Sequence, residues 1–138
     1  MEAKRVLLYT LKLWRERGDD FRVAQTLTDL VDANSGLGRY TEGIQQARES
    51  LEIYERFKHT TEQAGALCRF GRLLCSDQQL NAAEEALSRA IDLSSDKGDQ
   101  LMLCMSHRVL GTISRSKGET EKAIIHFETA LGTAPSLN

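Results

Sequence analysis

SGLGRYTEGI, Ser35 to Ile44, places three glycines within eight residues, beside a basic residue and a threonine. A phosphate-cradling loop would need a strand before it and a G-x-G-x-x-G or G-x-x-x-x-G-K-[ST] spacing. Gly36 and Gly38 begin the first pattern, but residue 41 is Thr41 and the third glycine is Gly43. No Lys-Ser or Lys-Thr follows. A shift of 40 residues explains the glycines instead. At that shift the stretch aligns with CSDQQLNAAE (Cys75 to Glu84) and RSKGETEKAI (Arg115 to Ile124). Gly38 then meets Gly118 in a turn, and Gly43 meets Ala83 and Ala123 inside the following helix, where small residues let two helices approach.

The same shift aligns other columns: Leu30, Phe70 and Leu110; Leu27, Leu67 and His107; Ala47, Leu87 and Phe127; Leu51, Ile91 and Leu131. The expected units are 19–58, 59–98 and 99–138. Each holds two helical patterns. Leu67, Phe70, Gly71 and Leu74 recur at i, i+3, i+4, i+7, and Ala83, Leu87, Ala90 and Ile91 form a second face. Thr60-Thr61-Glu62-Gln63 fits a capping box, Asp99 fits a helix cap, and Gly98 fits a helix stop. Strand-like alternation is absent.

These columns resemble the tetratricopeptide (TPR) repeat, W-x₂-L-G-x₂-Y…A-x₃-F…P. The third unit reads His107-x₂-Leu110-Gly111-x₂-Ser114, Ala123-x₃-Phe127, Pro135. The second reads Leu67-x₂-Phe70-Gly71-x₂-Leu74, Ala83-x₃-Leu87. The first is degenerate: Leu27-x₂-Leu30-Val31-x₂-Asn34, Gly43-x₃-Ala47. The period is 40 residues against 34 in the common form. The resemblance implies an all-α, right-handed superhelical solenoid of about seven helices. Residues 1–18 align with the second helix of a unit, as Ala3, Leu7, Leu11 and Leu13 match Gly43, Ala47, Leu51 and Ile53. They are expected to be the end of a truncated preceding repeat, so the chain is expected to be a fragment of a larger protein.

The resemblance further implies that the first helix of each unit lines a concave groove that binds a protein or peptide. Carried over, the groove residues are Gln25, Thr28 and Asp32; Cys68, Arg72 and Cys75; and Met105, Arg108, Thr112 and Arg115. Arg72, Arg108 and Arg115 are expected to form a basic strip for an acidic segment, because a guanidinium binds carboxylates as a planar fork. The clamp by which some TPR domains hold chaperone tails would place Lys and Asn at Thr28 and Asp32, and neither residue suits it. A second surface is the first helix. Val6, Leu8 and Tyr9 stand where later units carry Gln46, Arg48 and Glu49. With Phe127 and Leu131 on the last helix, they are expected to support self-association. The alternative role is a structural or regulatory TPR segment of a multidomain signalling ATPase.

Composition narrows the remaining classes. With 41 % hydrophobic and 28 % charged residues the chain is globular, and a net charge of −2 with pI near 5.9 disfavours nucleic acid and membrane partners. No apolar run reaches the length of a membrane span. Three irregularly spaced cysteines form no disulfide framework, so a reducing cytoplasm is expected. His59, His107 and His126 show no ligand spacing. Cys104 and His107 are three apart, but His107 stands in a packing column. No enzyme activity, cofactor or metal is expected.

Overall fold

The computed structural model describes residues 2–95 and 99–133. Gly98 and Pro135 lie outside them. Among the described residues there are seven helices and no strand: α1 (Glu2–Arg17), α2 (Asp20–Gly36), α3 (Tyr40–Arg56), α4 (Thr60–Ser76), α5 (Leu80–Ser95), α6 (Gln100–Ser116) and α7 (Thr120–Thr133). None is long and apolar enough to cross a membrane.

The turns set this register. Each described turn is a Schellman closure around one left-handed residue. At the end of α2, Gly38 has φ of 73°, its N–H donates to the Ser35 carbonyl at 3.2 Å, and the Arg39 N–H donates to the Asn34 carbonyl at 2.8 Å. The same pair of bonds recurs around Gly18, Lys58, Gln78 and Gly118. The residue that closes one helix also precedes the next. Asp19 in that place, and Asp99 before α6, accept from the Arg22 and Met102 N–H groups, each at 3.1 Å. His59 occupies it before α4 and makes no side-chain cap. The expected Thr60–Gln63 capping box therefore does not form, because Thr60 is already the first helical residue. The His59 ring packs instead on Phe21, 4.8 Å between centroids.

The helices pair as hairpins α2/α3, α4/α5 and α6/α7, with the tightest packing inside each pair. Glycine permits the close approach. A Cβ on Gly71 would lie 2.5 Å from Leu87 Cγ, and one on Gly111 would lie 2.7 Å from the Phe127 ring. In α2/α3 the sizes are exchanged, with buried Val31 and Ala47 in the equivalent places. Gly43 meets α4 as well as α2: a Cβ there would be 3.1 Å from Leu73 and 3.5 Å from Asn34.

Hairpins then stack in two layers. α2 packs on α4 and α4 on α6, whereas the backbones of α3 and α5, and of α5 and α7, do not approach. Closely spaced inner helices and splayed outer helices curve the array, with α2, α4 and α6 on the concave side. α1 meets α2 as α3 meets α4. Two ion pairs join it to α3 across the outer layer, Lys4–Glu42 at 2.9 Å and Arg15–Glu49 at 2.7 Å.

The left-handed turn residue predicts a stability change. Gln78 adopts φ of 63°, which glycine adopts without steric cost. Gln78→Gly is expected to raise unfolding free energy by about 1 kcal/mol and Gly118→Ala to lower it by a similar amount, read by urea denaturation. Equal midpoints for the two variants would contradict the turn assignment.

Candidate functional site

The concave face is built from the exposed sides of α2, α4 and α6. Gln25, Asp32, Arg72 and Arg108 lie exposed on it, and Met105 and Thr112 are half-buried. Two of the expected groove residues are not on its surface. Thr28 is 5 % exposed and Cys68 is 2 % exposed. Their place on the helix is the side against which the next inner helix leans. The Cys68 thiol sits beside Ser106 of α6. The Thr28 hydroxyl donates to the Ala24 carbonyl at 2.9 Å and lies beside the Tyr54 phenol. Arg108 holds the corresponding place on α6, where no helix covers it among the described residues.

Arg115 is exposed and lies over the Phe127 ring, 6.0 Å from guanidinium carbon to centroid. Arg69, one residue off the expected stripe, is exposed on α4 as well. Its Nε lies 3.3 Å from the Asp32 carboxylate, joining α2 to α4. Burial pushes the Cys68 thiol up, while Ser106 and the charges of Arg72, Arg69 and Arg108 pull it down. Arg69 is paired; among the described residues Arg72 and Arg108 have no ion-pair partner. Burial also pushes the Cys75 thiol up. Buried thiols held in the neutral form are poor nucleophiles.

Acidic groups gather at the other end. Asp29 is pushed up chiefly by burial, with Arg69 opposing and Asp32 reinforcing the shift. It lines an open cavity of about 400 Å³ with Trp14, Gln25, Tyr54, Glu62 and Arg69. Arg22 covers the Trp14 ring at 4.8 Å. A cavity of similar volume lies between α1, α2 and α3 on the outer side, where the Arg15–Glu49 pair lines it. Asp29 and Asp32 of α2 thus lie beside Arg69 of α4, while Arg72 and Arg108 are exposed further along α4 and on α6.

The second expected surface divides in the same way. Val6, Leu8 and Tyr9 are 55 %, 44 % and 63 % exposed, and Leu131 is 80 % exposed. Phe127 does not belong with them. It fills the space over Gly111 inside the α6/α7 hairpin and is half-buried. Ile124, expected at this end with Phe127 and Leu131, is exposed, and so are Leu13 and Ile125, which the sequence reading left out of the self-association set. Among the described residues no group of three or more His, Cys, Asp or Glu side chains is placed to hold a metal ion. His107 is half-buried and pairs with His126 of α7, Nδ1 to Nδ1 at 3.2 Å.

This architecture is that of a TPR-like helical-repeat protein. No protein-family model matches the chain, and no curated protein matches it. Among solved structures, BtubC (BKLC) from P. vanneervenii superposes with a TM-score of 0.85 at 20 % identity, covering 99 % of this chain and 59 % of that one. The chain thus spans about three fifths of BtubC, and the likeness concerns the fold. A MamA segment, residues 41 to the end, from Desulfovibrio magneticus RS-1 aligns over 96 % of each chain at 17 % identity with a TM-score of 0.43.

Proposed function

We propose that this chain is a protein-interaction module whose concave face takes an acidic segment of a partner across α4 and α6. The observation that carries this reading is the pair of exposed guanidinia, Arg72 and Arg108, with no ion-pair partner among the described residues. Such groups bind carboxylates through two parallel hydrogen bonds. On this reading the chain works as part of a larger scaffold and performs no chemistry itself. A net charge of −2 argues against RNA as the ligand.

A second reading rests on α1. Its exposed Val6, Leu8, Tyr9 and Leu13 form an apolar surface within a helix carrying Lys4, Arg5, Lys12, Arg15 and Arg17 against Glu2 and Glu16. The last hairpin exposes Ile124, Ile125 and Leu131 on a helix that carries Glu121, Lys122 and Glu128. Contact between these unlike apolar surfaces would be head-to-tail, which extends rather than closes. Such association would suit a structural segment of a larger signalling ATPase.

Two measurements separate these readings. In a fluorescence-anisotropy screen of labelled Asp/Glu-rich peptides, Arg72→Glu with Arg108→Glu is expected to weaken binding at least about tenfold. Arg115→Glu is expected to leave it unchanged; equal losses in both variants, or no binding at all, would sink the groove reading. Light scattering across a concentration series tests the second. A mass that rises with concentration, and falls to the monomer in Tyr9→Glu, supports association through α1, and a constant monomer mass removes it.

A further inference from the structure

The α6/α7 hairpin carries a pair of histidines that the groove reading does not use. His107 stands in the column filled by Leu27 and Leu67, and His126 in the column filled by Val6, Gln46 and Ala86. Apolar or amide side chains fill those places elsewhere, so packing does not demand two imidazoles here. The two rings lie 5.5 Å apart between centroids, tilted by 31°, and their Nδ1 atoms approach to 3.2 Å. Two imidazole nitrogens on one tetrahedral ion, each about 2.0–2.1 Å from it, stand about 3.3 Å apart.

We infer that His107 and His126 form a two-histidine site for a divalent transition cation of the zinc, nickel or copper class, clamping α6 to α7. Imidazole nitrogen suits these ions, whereas magnesium and calcium require oxygen donors. In the metal-free pair one Nδ1–H donates to the other Nδ1. On binding, the donating ring moves that proton to Nε2, and both rings turn so that the Nδ1 lone pairs, which face one another in the metal-free pair, meet at the ion. Neutral imidazoles therefore release no net proton, and protonated ones must lose theirs first. The two histidines supply two ligands, and water or a partner's side chain completes the sphere. Lys122, one turn before His126, is ion-paired with Glu119 at 2.8 Å, which holds its charge away from the pair. The clamp acts between two helices, so a bound ion stabilises the folded chain.

The experiment uses the chain with any affinity tag removed, nickel chloride as the probe and magnesium chloride as the control. His107→Leu and His126→Gln adopt residues found at the equivalent places, and circular dichroism checks their fold. Calorimetry at pH 7.5 is expected to show one nickel ion per chain, with at least tenfold weaker binding in each single variant. Nickel is expected to raise Tm by a few degrees at pH 7.5. Magnesium is expected to do neither. No nickel binding by the wild-type chain, or binding that persists in the folded double variant, overturns the site.

Discussion

The close approach of the two helices in each hairpin is the constraint on which the rest of this structure depends. In α4/α5 and α6/α7 a glycine on the inner helix leaves space that Leu87 or Phe127 of the outer helix fills. In α2/α3 the larger residue is on the inner helix, with Val31 facing the place held by Ala47. Volume is matched across the pair rather than residue by residue. Interiors packed at crystal density tolerate an exchange of volume across a contact better than a net gain or loss. Once the hairpins close in this way, their inner helices fall side by side, the outer helices splay, and a concave surface results.

The turns transmit that constraint along the chain. At the five described turns a Schellman closure brings the helix to its end at the same phase, so equivalent faces recur on α2, α4 and α6. Glycine relieves the left-handed residue at three of the five described turns, and Lys58 and Gln78 carry it at the others. Asp19 and Asp99 add side-chain caps, while His59 gives up that role to join Phe21 and Tyr54. Local chemistry varies, yet the phase is held by backbone hydrogen bonds that any residue can supply.

The hairpins were legible in the sequence because apolar spacing and small-residue columns repeat with the helix. The joints between hairpins were less so. Thr28 is buried beside Tyr54 of α3 and Cys68 beside Ser106 of α6, contacts that depend on how neighbouring helices lean. Arg69 was missed for the same reason: its approach to Asp32 depends on how α4 leans on α2. Arg115 and Phe127 were assigned to separate surfaces, but the ring fills the space above Gly111 and the guanidinium follows it. Helical period shows which residues share a face; it does not show which face a neighbouring repeat will cover. The histidine pair was hidden likewise, since its members are nineteen residues apart on different helices.

The most direct measurement is a double-mutant cycle across the α4/α5 seam. Gly71→Val alone overpacks Leu87 and is expected to cost about 1–3 kcal/mol. Leu87→Ala alone opens a cavity and is expected to cost about 2–5 kcal/mol. Together they rebuild the Val31/Ala47 arrangement of α2/α3. The account predicts that the double variant, followed by urea denaturation, loses less stability than Leu87→Ala alone. Additive losses would mean that the two positions do not share one volume, and would contradict the packing on which the solenoid rests.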